Sequence, residues 1–374
     1  MVYRSGILMT TNEPTPAALG YRWPAEWEPH AATWLSWPHN PDTWPGKFEV
    51  IPERYTEFVR TIARFEPVNI LAGGEVVMSV AASLVADIPD VRLYNIKTND
   101  AWCRDHGPIF VVEEKGSGPI GAKHPSGRSG QLDLTPFLPP AIVDWGYNAW
   151  GGKYPPFDAD NTVTEQVAVQ LQRKRFVPGL VLEGGAIEGN GRGTILTTES
   201  CLLNPNRNEN MTREQMEDYL SSYLGANNVL WLSRGELAGD DTDGHVDQLA
   251  RFIDSHTIVA AWENDSSDVN HESLKANFEQ LEGMADQDGN GFTIVRLPLP
   301  KPKFCQGQRL PASYCNFYIT NGAVIVPQFD DAADEEAVRI LEGLFPDREV
   351  IGLPSIDLVW GLGSFHCLTQ QEPV

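Results

Sequence analysis

The sequence predicts an α/β fold with pseudo-fivefold symmetry, and three recurring patterns predict it. Amphipathic helical stretches return at intervals, a pair of strand-like runs precedes most of them, and one further strand-like run follows each. Apolar residues at i, i+3 and i+4 spacing mark helices over 52–65, 161–176, 212–225, 270–284 and 334–345. Asn161 and Asp334, each ahead of an acidic first turn, read as helix starts.

The flanking segments complete the unit. FYIT-NG-AVIVPQ precedes the last helix, and its Asn321-Gly322 pair predicts a type I′ hairpin turn. EVIGLPS follows that helix. LARFIDSHTIVAAW and FTIVRLPLP bracket the 270–284 helix, and AIEGNGRGTILTTE and NVLWLSR bracket 212–225. PIFVVEE, the 161–176 helix and LVLEGG keep the same order, with a long insertion near 115–157. The start is looser: AATWLSW, a helix, VNILAG, another helix at 74–87, then VRLYNI. Such units bury their apolar faces only against neighbours, so five of them close into a ring or stack. An ordinary α/β sheet with antiparallel edges fits the same pattern. No composition break marks a linker. Residues 21–374 are therefore expected to form one catalytic domain behind a flexible leader at 1–20, with Met9 as an alternative start.

Composition narrows the function. Of 374 residues, 51 are Asp or Glu and 28 are Lys or Arg, giving a formal charge of −23. Phosphate binding needs a basic surface, so nucleic acid is not an expected partner. Acidic excess suits solubility, and it also steers cationic ligands. The five cysteines are widely spaced with no CxxC, which argues for a reducing, cytoplasmic setting rather than a disulfide framework. No apolar run approaches a membrane span, and the first residues lack the apolar core of a secretory signal. Oligomeric state is open, with a homo-oligomer allowed.

Reactive residues fall just after the last strand of several units. Asn99 to Pro108 carries Asp105, LVLEGG carries Glu183, 239–247 carries His245 and Asp247, and 360–367 ends in Cys367. In a ring, equivalent strand ends converge, which would gather these five. Cys367 is then the candidate nucleophile and His245 the acid/base. Three carboxylates around a thiol raise its pKa, which is counterproductive for a peptidase-like site but makes sense if the substrate is itself a cation. A planar guanidinium offers carboxylates paired, charge-assisted hydrogen bonds. Taken one by one, a buried Cys, an Asp-x-Gly-His turn or a local Arg104–Asp105 pair has a purely structural explanation. Asp286 to Gly291 imitates half of a calcium loop, but its twelfth position is Leu297, so an ordinary turn is expected. His245-x-Asp247 has no second His at ligand spacing, so neither metal nor organic cofactor is expected.

The stretches EPHAATWLSWPHNPDTWPG, NDAWCRDHGP, LEGGAIEGNGRGTILTTESCLLNPNRN, DDTDGHVDQLARF, LPASYCNFYITNGAVIVPQF and GLGSFHCLTQQEP run in order along nearly the whole chain. Together they resemble the family that joins agmatine deiminases with Porphyromonas-type peptidylarginine deiminases. The resemblance implies a pentein-type five-bladed α/β propeller. It implies Cys367 as nucleophile, His245 as general acid/base, Asp105 and Asp247 as guanidinium holders, and Glu183 supporting His245. Trp102 and Asn316 match positions at the site, and Asp243 and Gly363 complete the candidate substrate-binding set. Leu362, Ser364, Cys103 and His106 depart from the usual residues. The expected reaction is hydrolysis of agmatine to N-carbamoylputrescine and ammonia. Deimination of free or peptide-bound arginine is the second enzyme reading, and a non-catalytic polyamine- or guanidinium-binding protein is the rival of another class.

Overall fold

Five sheets repeat one topology in the computed structural model, which describes residues 13–114 and 139–374. In each sheet a first strand runs antiparallel to a second, and a helix carries the chain from the second to a parallel third. Parallel neighbours require such a crossover. The second sheet is Ile109–Glu113, Ala141–Val143 and Arg175–Phe176, spanned by the helix Val163–Leu171. The third is Ile187–Gly189, Thr194–Thr198 and Asn228–Leu232, spanned by Arg213–Leu224. The fourth is Ala250–Phe252, Thr257–Trp262 and Thr293–Pro298, spanned by His271–Glu282. The fifth is Tyr318–Ile319, Ala323–Gln328 and Glu349–Pro354, spanned by Asp334–Leu344.

The first sheet is assembled from both ends of the chain. His30–Ser36, Val68–Leu71 and Val91–Tyr94 are parallel, with the helices Ile51–Ile62 and Glu75–Leu84 between them. Its antiparallel first strand is Thr369–Pro373, so Thr369 sits opposite Leu35. This pairing is why the start of the sequence looks irregular: the missing strand lies over 300 residues away. Tyr21–Arg22 adds an outer strand to the second sheet, and a small ribbon pairs Phe304–Cys305 with Gln308–Arg309.

Local chemistry explains most boundaries, and it corrects several expectations. The helix Arg213–Leu224 starts on a capping box between Thr212 and Gln215 and stops at Gly225 in the left-handed region. The helix expected over 161–176 ends at Leu171, because Gln172 turns left-handed and Arg175–Phe176 leaves as a strand. LVLEGG contributes only a bridge at Val181 before a 3-10 turn. Asp334 opens the helix Asp334–Leu344 as expected, whereas Asn161 falls in the 3-10 turn Asp160–Thr162, and the side chain of neither caps a helix. Asn161 accepts from the Tyr147 N–H at 2.7 Å, and Asp334 accepts from Phe329 and Asp331 in the preceding loop. The Asn321-Gly322 hairpin forms, but neither residue has the positive φ of a type I′ turn. Asn321 instead faces His30, donating to its C=O at 2.9 Å and accepting from its N–H at 2.8 Å. Asp286 binds the N–H groups of Asp288 and Asn290, an ordinary turn. The leader expected at 1–20 and the insertion lie partly outside the described residues.

Central strands are buried along almost their whole length, as parallel sheets covered on both faces require. Third strands such as Glu349–Pro354 are half exposed. The first sheet carries a dense aromatic core in which Phe58, Trp44, Tyr55 and Phe365 are fully buried. Phe58 stacks on Phe365 with ring centroids 4.4 Å apart, which anchors the turn two residues before Cys367. Phe58→Ala is expected to cost about 3–5 kcal/mol by leaving a cavity under that turn. Chemical unfolding of the variant checks this through a lower midpoint at unchanged slope.

Candidate active site

One structural position recurs five times. Each sheet's outer strand leads into a short helical turn, and the next sheet's first strand starts just beyond it. These turns are Cys103–His106, Gly184–Ala186, Val246–Gln248, Tyr314–Asn316 and Phe365–Leu368. They carry or directly follow Asp105, Glu183, His245 with Asp247, Asn316 and Cys367. Repetition of one connection thus delivers six reactive side chains from five distant segments.

Contacts show that these side chains meet. The Cys367 thiol lies 3.4 Å from Asp247 Oδ2 and receives the Asn316 amide N–H at 3.1 Å. Asn316 also accepts from the N–H groups of Ser364 and Cys367, which fixes the turn that presents the sulfur. His245 places Nδ1 3.6 Å from Asp105 Oδ1 and Nε2 3.9 Å from Glu183 Oε2. Gly185 sits at the centre of the cluster. A Cβ there would come within 2.6 Å of His245 Nδ1, 2.8 Å of Asp105 Oδ1 and 3.1 Å of Asp247 Oδ2. Only a residue without a side chain fits between them.

Each carboxylate has a different balancing partner. Asp247 Oδ2 accepts from His366 Nδ1 at 2.8 Å, and this partner holds Asp247 below the usual carboxylate range against the cost of burial. Glu183 accepts from Arg207 Nε at 2.8 Å, and its pKa is likewise lowered, burial being outweighed by His245 and Arg207. Among the described residues Asp105 has no Arg or Lys partner. It accepts from the Trp150 indole N–H and the Gly185 N–H, each at 3.0 Å, and burial lifts its pKa despite nearby His245. For His245, burial opposes charge, but Asp105, Cys201 and Glu183 outweigh it and raise its pKa well above that of a free imidazole. Burial, then Asp247 and Asp105, push the Cys367 thiol well above the ordinary thiol range.

A cavity of about 830 Å³ opens onto this cluster. Cys367, Asp105, Trp102 and Gly363 line it, while His245, Glu183, Asp247 and Asn316 stand behind those residues. Trp102 packs on Trp44, and Gly363 is required beneath it, because a Cβ would fall 2.4 Å from the indole. Asp243 is not at the cavity wall. Its carboxylate is bound by Arg207, by Asn206 at 3.0 Å and by Lys153 at 3.0 Å, so it steadies the arginine that holds Glu183. The outer wall adds Asp42, Asp100, Asp160 and Asp241, with Tyr154 and Trp360.

Sequence reasoning passed over Trp150, His366, Arg207 and Gln248, whose amide N–H points at the Cys367 sulfur at 3.7 Å. Trp150 adopts a left-handed backbone, with φ 54°, inside an Ala-Trp-Gly-Gly run that also turns left-handed, a strained device typical of functional sites. That Gly-Gly pair was the available signal. Arg207 and His366 both lie within segments that carry the family resemblance, but nothing in their spacing predicts their partners.

Glu183, Cys201 and His245 form the one trio of His, Cys, Asp or Glu among the described residues with donor atoms all within 4.8 Å. All five cysteines are free thiols. No helix among the described residues is long and apolar enough to cross a membrane.

Comparison with known proteins follows the same lines. A family model, Porphyromonas-type peptidyl-arginine deiminase, matches residues 22–373. Agmatine deiminase from Pseudomonas syringae pv. tomato is 38% identical over 389 residues, spanning 98% of this chain and 99% of its own. The structure of C. jejuni agmatine deiminase with substrate bound is 31% identical, with a TM-score of 0.81 over 94% of this chain and 96% of that one. The Enterococcus faecalis agmatine deiminase structure is 32% identical, with a TM-score of 0.84 over 97% and 98% of the two chains. The model match and these near-full-length relatives lead to one conclusion: the chain belongs to the Porphyromonas-type peptidyl-arginine deiminase family.

Proposed function

We propose that this chain hydrolyses agmatine to N-carbamoylputrescine and ammonia, with Cys367 as nucleophile. The observation that carries the reading is the placement of Asp105 and Asp247 beside the Cys367 thiol at the inner end of the cavity. Asp247 Oδ1 has no partner within the protein, although it is fully buried. A buried carboxylate oxygen left unpaired is costly, and a guanidinium N–H satisfies it while adding the missing positive charge.

That charge supports the chemistry. With guanidinium held between Asp105 and Asp247, the thiol yields its proton to water and stays as thiolate. The sulfur attacks the guanidinium carbon. The C–N bond breaks, and the His245 imidazolium, favoured by its raised pKa, gives its proton to the departing ammonia. A covalent thiouronium remains on Cys367. Neutral His245 then takes a proton from water, whose oxygen attacks the same carbon. The C–S bond breaks, returning the thiolate and releasing the ureido product. Glu183, fixed by Arg207, holds the imidazole through both steps. No step requires a metal or an organic cofactor.

The outer cavity favours agmatine over free arginine. Binding an α-carboxylate calls for an unspent cation. Lys153, the lysine at the wall, donates to the Asp241 C=O at 2.7 Å and to Asp243 at 3.0 Å. The four wall aspartates suit an ammonium tail. We read the five sheets as blades of a pentein-type propeller forming one catalytic unit over residues 21–374, acting in the cytoplasm. The pairing of Thr369–Pro373 with His30–Ser36 supports closure of that ring.

An ammonia-release assay on agmatine, free arginine and an arginine peptide tests the substrate. Agmatine is expected to dominate; preferential release from arginine, or tight agmatine binding without ammonia, would overturn the proposal. Cys367→Ala is expected to lose more than about a thousandfold in kcat. Quenched wild-type protein should carry a substrate-derived adduct on Cys367 by mass spectrometry.

The wall also predicts a pH effect. Burial raises Asp100 to about 6 and Asp160 to about 7. Both are neutral below those values and anionic above them, so affinity for a dication should grow as pH rises. The KM for agmatine is therefore expected to fall between about pH 6 and pH 7. Asp160→Asn, which keeps the acceptor for the Asn99 N–H, should flatten that slope.

A further inference from the structure

We propose that Glu183, Cys201 and His245 form a binding site for a soft divalent cation such as Zn²⁺, whose occupancy reversibly arrests the enzyme. This rests on the reading of His245 as the proton carrier. Cys201 stands on the short helix Glu199–Leu202, directly after the strand Thr194–Thr198, and takes no part in the chemistry above. Its thiol lies beside the His245 imidazole and the Glu183 carboxylate. The three donor atoms lie within 4.8 Å of one another, and all three residues are buried.

Two further observations point to a ligand. Glu183 Oε2 and His245 Nε2 both lack a hydrogen-bond partner, although each is sealed from solvent. Both are members of the trio. Glu183 divides its oxygens: Oε1 accepts from Arg207, while Oε2 faces His245 at 3.9 Å. Arg207 thus orients the carboxylate without consuming the oxygen aimed at the trio.

The donor set selects the cation class. Thiolate, imidazole and carboxylate together suit zinc or cadmium rather than magnesium or calcium, which prefer oxygen alone. Zinc takes sulfur at about 2.3 Å and nitrogen at about 2.0 Å, so the donors need close only slightly around it. Binding displaces both the Cys201 proton and the His245 Nε2 proton to solvent, and the freed Nε2 lone pair takes the metal. A metallated imidazole cannot deliver a proton to ammonia, so turnover stops until the metal leaves. The nucleophile stays untouched, which separates this device from metal capture by Cys367.

The test needs a readout independent of turnover. Cd²⁺ is titrated into the full chain carrying Cys367→Ala, and thiolate-to-cadmium charge-transfer absorption is followed. The expected result is a band that saturates at one Cd²⁺ per chain and vanishes when Cys201→Ser is added. No band in the Cys367→Ala protein, or a band that survives Cys201→Ser, overturns the proposal. With Cys367 intact, Zn²⁺ should inhibit ammonia release, and Cys201→Ser should weaken inhibition by at least roughly tenfold, the cost of disturbing even an outer partner of a metal ligand. Equal zinc sensitivity in both proteins overturns it too. Cys201→Ala serves as the second variant if the serine protein fails to fold. Because the cadmium spectrum needs no substrate, failure of the agmatine reading leaves that result decisive.

Discussion

Too many anions share one dry space, and the rest of the site is arranged around that constraint. Asp105, Asp247 and Glu183 are buried beside a thiol, where an isolated charge costs several kcal/mol. The protein gives two of them partners of its own, the His366 imidazole for Asp247 and the Arg207 guanidinium for Glu183. Asp105 receives only two neutral N–H donors, plus His245 at 3.6 Å. The deficit falls at the inner end of the cavity, where a bound guanidinium would sit. In the proposed mechanism a raised thiol pKa keeps the Cys367 sulfur protonated until a cationic substrate arrives. Selectivity and activation are then one electrostatic event.

The same economy holds the sheets together. Glu26 is buried and contacts Arg251 Nη2 at 2.8 Å, His366 Nε2 at 2.8 Å and Arg104 Nη2 at 3.2 Å. These partners come from the fourth sheet, the turn of Cys367 and the turn of Asp105. One carboxylate therefore ties three segments, and its pKa falls well below the usual range because Arg251, His366 and Arg104 outweigh burial. His366 lies between Glu26 and Asp247, with a carboxylate oxygen 2.8 Å from each ring nitrogen. Cutting such a network on one side strands a charge and costs about 3–5 kcal/mol. Site geometry and fold stability are thus joined through the residue next to Cys367, the proposed nucleophile.

How much of this the sequence disclosed depends on the range of each interaction. Helices over 52–65, 212–225, 270–284 and 334–345 were legible because amphipathic periodicity is local. The strand–strand–helix–strand order was legible because the units repeat. The five reactive positions followed from repetition: each comes just after an outer strand, so a ring would gather them. Balancing partners were not legible. Glu26 lies 340 residues from His366, Cys201 lies 44 residues from His245, and no periodicity connects either pair. The hairpin at Asn321-Gly322 shows a subtler loss. Local preference names a turn type, but Asn321 earns more from pairing with His30 across the first sheet, and long-range bonding resets the local geometry.

The division between wall and interior completes the electrostatic argument. Asp100 and Asp160 face the cavity with pKa values lifted to about 6 and about 7, so near neutrality part of their charge is withheld. Among the described residues neither is offset by an arginine or lysine; Asp160 accepts from the N–H groups of Asn99 and Asp100, and Asp100 from Thr43 and the Ala101 N–H. Were both fully ionised in the empty cavity, their repulsion would be felt through the loop that carries Asp105. A dication removes that penalty at both ends. In the proposed complex its flat head relieves Asp105 and Asp247, and its tail draws out the charge held back at the wall. A net charge of −23 raises the local concentration of such molecules before they enter. Affinity, thiol activation and steering thus use a single sign of charge, and that is why an anionic surplus, ordinarily unfavourable around a nucleophilic sulfur, serves the chemistry here.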